Sequence, residues 1–322
     1  MRVVFRCDAS RNIGTGHVRR CLTLADELRN SGNEIIFMSD DRLEGNLCSL
    51  INSHGYQYIK TNVTDIPELT DLLIVDHYDI DYEWEVMARQ HTKKIMVIDD
   101  LANRKHDCDL LLDQNLYPDM QKRYEDLVPR NCKLMLGPKY ALLREEFRVW
   151  RKKTSVRKTL KHLFINFGGS DPHGTTHRVL EKIKHHDFSA DIVIGSKDEK
   201  IKDFCKDRQD WNLHVNANNM AELMSKSDLG ICAGGSTTWE RCALGLPSIT
   251  LAIAVNQKQL SEFLAKRGLC HYIDSCNKVN ETLRKYITCP DLLAKQSKLS
   301  MDFVDGKGAE RCVSIISSKN LN

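Results

Sequence analysis

The feature that most limits what this chain can fold into is an alternation, run through twice, of short apolar segments and helical stretches. Apolar strand-like runs lie at Val3–Cys7, Glu34–Ser39, Leu72–Val75, Lys94–Ile98, Leu110–Leu112 and Lys133–Leu136. The clearest helix is His17–Asn30, where Val18, Cys21, Leu22, Ala25 and Leu28 recur at helical spacing and Gly32 follows the end. After Trp150–Lys161 the pattern restarts with Leu163–Phe167, then Asp191–Gly195, Asn212–Val215, Leu229–Ala233 and Ser248–Ala252. Such alternation implies parallel sheets covered by helices on both faces.

The 322 residues suffice for two domains of this kind. The stretch Trp150–Lys161 is rich in Lys and Arg and lacks apolar periodicity, so it reads as a solvated link. The expected division is an N-terminal domain over 1–150, a second over 151–307, and a closing segment over 308–322. In that segment Gly308–Lys319 reads as a helix packing back across the join. The fold class is α/β, with two Rossmann-like domains facing across a cleft. Ligands bind such sheets at the carboxyl ends of the strands.

Charge narrows the partners. Lys+Arg 47 against Asp+Glu 44 leaves +3, too even for a nucleic-acid surface. No run approaches the length of a membrane span, and MRVVFRCDAS is a strand entering a loop, not a signal peptide. The sequence therefore reads as a cytoplasmic, soluble monomer whose partner is a small molecule, with no nucleic acid and no membrane. Twelve cysteines occur without a CxxC pair. Cys7, Cys232 and Cys270 lie in or beside strand-like runs, and Cys21, Cys242 and Cys312 on apolar helical positions, so all twelve read as reduced thiols.

Chemistry concentrates in the loops. Asn12-Ile13-Gly14-Thr15-Gly16-His17 joins the first strand to the first helix. Its glycines allow positive φ and close backbone approach, and the helix start offers N–H groups to an anion. The positive end of the helix opposes an imidazolium, so His17 is expected as a neutral base. A plain glycine turn with His17 as a cap is the competing reading. The equivalent loop of the second half is Asn166-Phe167-Gly168-Gly169-Ser170-Asp171-Pro172, where Ser170 or Asp171 can cap a helix opened by Pro172.

A third loop, Ala233-Gly234-Gly235-Ser236-Thr237-Thr238-Trp239-Glu240, suits a diphosphate through N–H groups and hydroxyls, but lacks the ending of a P-loop. Glu240, one turn on, can take ribose hydroxyls or serve as a surface carboxylate. Asn256-Gln257 can read sugar hydroxyls or merely make a loop polar. In Asp76-His77-Tyr78-Asp79, Tyr78 can orient His17 or touch a sugar, while His77 is read as loop decoration. Asp99-Asp100 has no His partner at ligand spacing, and His173 with His177 lacks a third ligand, so neither is taken as a metal site.

Taken in order, Gly14-Thr15-Gly16-His17-Val18, Asp99-Asp100-Leu101-Ala102-Asn103-Arg104, Tyr140–Phe147 and Gly234–Pro247 (GGSTTWERCALGLP) resemble the UDP-2,4-diacetamido-2,4,6-trideoxy-β-L-altropyranose hydrolase family. The likeness covers nearly the whole chain. That family is similar to the MurG-type glycosyltransferases, which implies a GT-B-like pair of domains with UDP held mainly by the second. The resemblance implies that His17 is the general base activating water at the anomeric carbon, with inversion, C–O cleavage and no metal or other cofactor. It implies that Tyr78 assists at the sugar and that Gly235, Ser236 and Thr237 hold the diphosphate. Glu240 would take the ribose, Asn256 and Gln257 the sugar or phosphates, and Arg144 the nucleotide. Gly14, Thr15, Gly16, Asn166, Gly168, Gly169, Ser170 and Gly234 complete the expected substrate contacts. Arg19-Arg20 departs from the family's more usual apolar residue after Val18, and Arg19 is expected to face solvent. Two rivals stand beside this reading: an inverting UDP-sugar glycosyltransferase using the same base, and a nucleotide-sugar binding module without catalysis.

Overall fold

In the computed structural model, the described residues are 1–8, 16–39, 45–60, 66–169, 171 and 173–318, with the side chains of 45–48, 60, 255 and 256 also left aside. They form two compact units, one of Met1–Leu143 with Lys307–Asn322 and one of Arg144–Gly306. The first unit thus ends at Leu143, not at 150, and the closing helix belongs to it.

The first unit is built on seven parallel strands: β1 (Arg2–Cys7), β2 (Glu34–Ser39), β3 (Gln57–Lys60), β4 (Thr70–Asp76), β5 (Thr92–Ile98), β6 (Leu110–Asp113) and β7 (Lys133–Leu136). Their order is β3-β2-β1-β4-β5-β6-β7. The chain winds outward from β1 to β3, returns to β4 on the other side of β1, and winds outward again. The switch point therefore lies between the carboxyl ends of β1 and β4.

Both faces of this sheet are covered, which is why its central strands are apolar without alternation. Helix α1 (Gly16–Asn30) lays Val18, Cys21, Leu22, Ala25 and Leu28 on one face. It stops where Gly32 takes φ +81° and the Asn33 amide donates to the Leu28 carbonyl. The last helix, α12 (Gly308–Ile316), buries Cys312, Val313 and Ile316 in the same cluster as the apolar side of α1. Burial of each such side chain is worth roughly 1.5–3 kcal/mol. The other face carries α3 (Tyr82–Ala88), capped by Asp81 and buried through Trp84 and Ala88.

The second unit repeats the design with six parallel strands: β8 (His162–Asn166), β9 (Ser189–Ile194), β10 (Trp211–Val215), β11 (Leu229–Ala233), β12 (Ser248–Leu251) and β13 (His271–Ile273). Their order is β10-β9-β8-β11-β12-β13, so the switch point lies between β8 and β11. Its described helices are α4 (Glu145–Arg151), α5 (Thr175–Ile183), α6 (Glu199–Lys206), α7 (Met220–Lys226), α8 (Thr237–Ala243), α9 (Val255–Lys266), α10 (Val279–Thr288) and α11 (Pro290–Phe303), while α2 (Gly45–Ser53) belongs to the first unit. The short edge strands β3 and β13 were not expected from the sequence. Each is three or four residues long, too short to show a period.

Two charges of the Lys/Arg-rich stretch are not solvated, although its lysines Lys152, Lys153, Lys158 and Lys161 are exposed. Arg157 is 6% exposed and its guanidinium donates to the carbonyls of Ser155, Met224, Ser225, Ser227 and Leu244. All but the Ser155 carbonyl belong to the carboxyl ends of α7 and α8, where a cation suits the helix dipole. Burial, only partly offset by the charge of Asp228, pushes the guanidinium down to about 10. Arg151 likewise donates to the carbonyls of Ala243 and Met301. These two arginines are bonded to helix-end carbonyls that need donors.

Candidate active site

Each switch point carries the loops that the sequence marked, and the two are furnished differently.

At the first, His17 is the second residue of α1 and only 4% exposed. Its Nδ1 lies 2.5 Å from Oδ1 of Asp76, the last residue of β4 and wholly buried. Burial opposes the Asp76 carboxylate, but the neighbouring Arg20 and His17 reverse that and hold it well below the usual carboxylate range. An ionised Asp76 at that distance requires a proton on Nδ1, so the neutral form of the ring is the tautomer with the lone pair on Nε2. Tyr78 meets the imidazole edge to face, ring centres 4.6 Å apart and planes at 84°. Its phenol is raised above the ordinary tyrosine value by burial and by the facing Asp100.

The other polar groups of this edge lock the loops. Asp8, just past β1, is bound by Arg6 and Ser39 and lies 2.8 Å from Nε2 of His77. Burial pushes the Asp8 carboxyl up, but His77, Arg6 and Ser39 outweigh it and keep the group ionised. His77 Nδ1 accepts from the Asp79 amide at 2.9 Å, so Nε2 carries the proton toward Asp8. His77 is therefore a buried brace, not loop decoration. Arg104 donates to the carbonyls of His77 and Ile80 and to Asp99, pinning the segment that presents Tyr78. Asp99 in turn accepts from the Ala102 amide, which holds Ala102 at φ +50°, a conformation that costs a non-glycine residue energy. The Asp99–Arg104 string is thus a clamp on the Tyr78 loop. Asp99 and Asp100 are engaged by arginines, and among the described residues no three His, Cys, Asp or Glu side chains are set to hold a metal ion.

Gly14 and Thr15 lie outside the described residues. Gly16 opens α1, exposed and without positive φ, so it supplies clearance rather than a special backbone angle. Arg19 faces outward, whereas Arg20 turns in to Asp76 and Asp100.

At the second switch point the groups are backbone and small side chains. Asn166 ends β8 and donates to the Val193 carbonyl. Gly168 takes φ +90°, and Gly169 approaches β9 so closely that a Cβ on Gly195 would sit 2.0 Å from the Gly169 oxygen. Helix α5 begins at Thr175 after Gly174, and the Asp171 carboxylate accepts from the Thr175 and Thr176 amides at 2.8 and 2.6 Å. Ser170 and Pro172 lie outside the described residues. After β11, Gly234 faces Ser261 so tightly that a Cβ would meet its hydroxyl at 2.2 Å. Gly235, Ser236 and Thr237 then lead into α8.

Gln257, in the first turn of α9, accepts from the Ile253 amide at 3.1 Å and brings its amide nitrogen beside Gly235. The side chain of Asn256 is outside the described set. Glu240 lies on α8 with Arg144 Nη2 3.6 Å away, and Arg144 Nη1 pairs with Glu146 at 2.6 Å. Sequence reasoning missed Arg241, 1% exposed, which donates to the Ala233 carbonyl and to the hydroxyls of Thr237 and Thr238. A buried cation thus backs the glycine loop. It also missed Asp76 as the partner of His17. The available signal was a carboxylate closing the apolar run of β4, a position that burial makes costly unless it is paired.

The cysteines with described side chains, eleven of the twelve, are free thiols, and most are buried. No described helix is long and apolar enough to cross a membrane.

Residues 168–306 match the glycosyltransferase family 28 C-terminal domain. A UDP-2,4-diacetamido-2,4,6-trideoxy-β-L-altropyranose hydrolase of Campylobacter jejuni is 30% identical over 83% of this chain and 97% of its own length. An uncharacterised protein of Methanocaldococcus jannaschii is 31% identical over 78% of this chain, which spans only 55% of that relative. The spore coat polysaccharide biosynthesis protein SpsG of Bacillus subtilis is 23% identical over 98% of both chains. Among solved structures, Acinetobacter baumannii MurG superposes with TM-score 0.67 at 13% identity, over 98% of each chain. UDP-GlcNAc 2-epimerase of Neisseria meningitidis follows with TM-score 0.64, also at 13% identity, over 98% of this chain and 99% of its own. These two share the fold, the paired Rossmann-like sheets of the GT-B glycosyltransferases. By its identity and coverage with the Campylobacter protein, the chain belongs to the UDP-2,4-diacetamido-2,4,6-trideoxy-β-L-altropyranose hydrolase family.

Proposed function

We propose that this protein hydrolyses UDP-2,4-diacetamido-2,4,6-trideoxy-β-L-altropyranose to UDP and the free sugar, a step of pseudaminic acid biosynthesis in the cytoplasm, without a metal and as a monomer. The observation that carries the reading is the His17–Asp76 pair at the first switch point, beside Tyr78. Asp76 fixes the tautomer, so Nε2 of His17 takes a proton from water as the water oxygen attacks the anomeric carbon. The bond from that carbon to the phosphate oxygen breaks, its electron pair leaves with UDP, and the anomeric configuration inverts.

In this reading Gly235, Ser236 and Thr237 hold the diphosphate by N–H groups and hydroxyls, backed by the charge of Arg241. Gly234, Gly168 and Gly169 give the ligand clearance, and Asn166 and Ser170 complete the contacts. Glu240, held by Arg144, takes the ribose hydroxyls. Asn256 and Gln257 face the sugar or the phosphates, and Gly14, Thr15 and Gly16 let the substrate approach His17. Tyr78 contributes at the sugar.

The second reading is an inverting UDP-sugar glycosyltransferase, favoured by the match of residues 168–306 to a glycosyltransferase domain. The same base would then deprotonate an acceptor hydroxyl. Proton NMR with the UDP-sugar, no acceptor, EDTA and ¹⁸O-labelled water separates them. Labelled free sugar with unlabelled UDP supports the hydrolase. Substrate that is bound but untouched sinks it and favours the transferase.

A further inference from the structure

Arg20 has no part in the reaction as written, although it touches every charged group around the base. Its side chain is 11% exposed. Nε and Nη2 fork onto the two oxygens of Asp76 at 2.6 and 2.5 Å, and Nη1 reaches Oδ2 of Asp100 at 3.3 Å. Nη2 also lies 3.2 Å from Nδ1 of His17. A planar fork of this kind is available to arginine and not to lysine.

The charges decide what this arrangement does. Among the described residues, those facing His17 are Asp76 from β4, Arg20 from α1 and Tyr78 from the following loop, with Cys21 behind Asp76 and Asp100 behind Arg20. Cys21 is a neutral thiol, because burial and the nearby Cys7 and Asp76 raise it far above the ordinary value. That leaves two carboxylates and one guanidinium. Without the guanidinium, Asp76 would meet the imidazole unbalanced, with Asp100 unpaired behind it, and the cheapest way to restore balance would be a proton on His17. An imidazolium cannot accept a proton from water. With Arg20 present, Asp76 is already balanced, and a second cation 3.2 Å from the guanidinium is opposed.

We propose that Arg20 is a positioning residue that keeps His17 in its proton-accepting form by balancing Asp76 and Asp100. The proposal rests on the reading of His17 as the base. It gives the second arginine of the Arg19-Arg20 doublet an electrostatic task, while Arg19 faces outward.

The test uses the full chain and the variants R20Q, R20K, D100N and H17A, with turnover of the UDP-sugar followed from pH 5.5 to 9.5. In R20Q the acid limb of the kcat profile should move up by a pH unit or more, a loss of about tenfold at neutral pH that high pH restores. KM should change little. R20K, which keeps the charge and loses the fork, should hold the limb near its original place with a lower plateau. D100N removes a negative charge and keeps Arg20, so its limb should move the other way, to lower pH. A uniform loss at every pH in R20Q, or limbs that do not move in R20Q and D100N, overturns the proposal. The two readings fail separately: full turnover in H17A removes the base itself, whereas a dead H17A with an unmoved R20Q limb removes only the role of Arg20. Histidine ¹⁵N NMR of the free protein reads the same point without substrate. His17 in R20Q should be imidazolium at a pH where the parent is neutral, and an unchanged protonation state overturns the assignment.

Discussion

The two switch points occupy equivalent places in equivalent sheets, yet one is made of charged side chains and the other of bare backbone. In the first unit the exits of β1, β4, β5 and β6 each carry a buried aspartate: Asp8, Asp76, Asp99 and Asp113. Each has its arginine, namely Arg6, Arg20, Arg104 and Arg123. In the second unit the exits of β8, β9 and β11 give way to glycines, two of which leave no room for a Cβ. Buried ion pairs do little for net stability but hold geometry once desolvated. Glycine turns at helix starts hold no proton but accept a polyanion. The fold is duplicated; the chemistry is divided.

That division can be broken by experiment. The largest effect should come from H17A, which is expected to lower turnover by about 10²–10⁴-fold while leaving UDP affinity unchanged by calorimetry. A matching loss of UDP binding would mean that the first switch point also holds the nucleotide. D76N keeps the shape of the pair and frees the tautomer, so kcat should fall by about 10²-fold with KM nearly constant. A KM effect alone would make Asp76 a substrate contact.

Asp113 sharpens the contrast from the stability side. The hydroxyl of Tyr124 lies 3.0–3.1 Å from the Asp99 carbonyl, from Asp99 Oδ2 and from Asp113 Oδ2, one donor among three acceptors. A proton on Asp113 completes the set. Burial, opposed by the Asn115 amide and Arg123, pushes this carboxyl up to about 7 from an ordinary 3.8. The folded chain then keeps a proton between those values that the unfolded chain has lost. Stability therefore declines as pH rises from about 4 to 7, by an amount on the order of 4 kcal/mol, and does not recover above. D113N cannot ionise, so its melting temperature should decline less between pH 5 and 8. Parallel curves would place the proton elsewhere. The smallest effect belongs to the second unit. G195A drives a methyl into the Gly169 carbonyl and should weaken UDP binding by about tenfold, with the pH profile of turnover unmoved.

Much of this was legible in the sequence, for a physical reason. Strands buried on both faces appear as apolar runs, and α1 shows its period because one stripe meets the sheet. The glycine loops were legible because a glycine pair off a strand has few other uses. What escaped was pairing at a distance. Asp76 lies 59 residues from His17, and nothing local marks the two as partners. Arg157 and Arg151 were read as solvent charges because the carbonyls that hold them lie 67 to 150 residues away. His77 looked like decoration for the same reason, its partner Asp8 being the exit of another strand.

The place of α12 gives the molecule a schedule. The second unit, Arg144–Gly306, is an insertion in the first, whose last helix is supplied only by residues beyond Lys307. A nascent chain can lay down all seven strands of the first sheet and α1, yet that apolar layer lacks α12 until Ile316 has been made. At synthesis rates of about 5–20 residues per second, the delay after Leu143 is on the order of ten seconds or more. During that interval the inserted unit has everything its own core requires. The unit whose synthesis begins first is therefore the last to close, and truncations near the carboxyl end should yield a folded second half attached to an open first one.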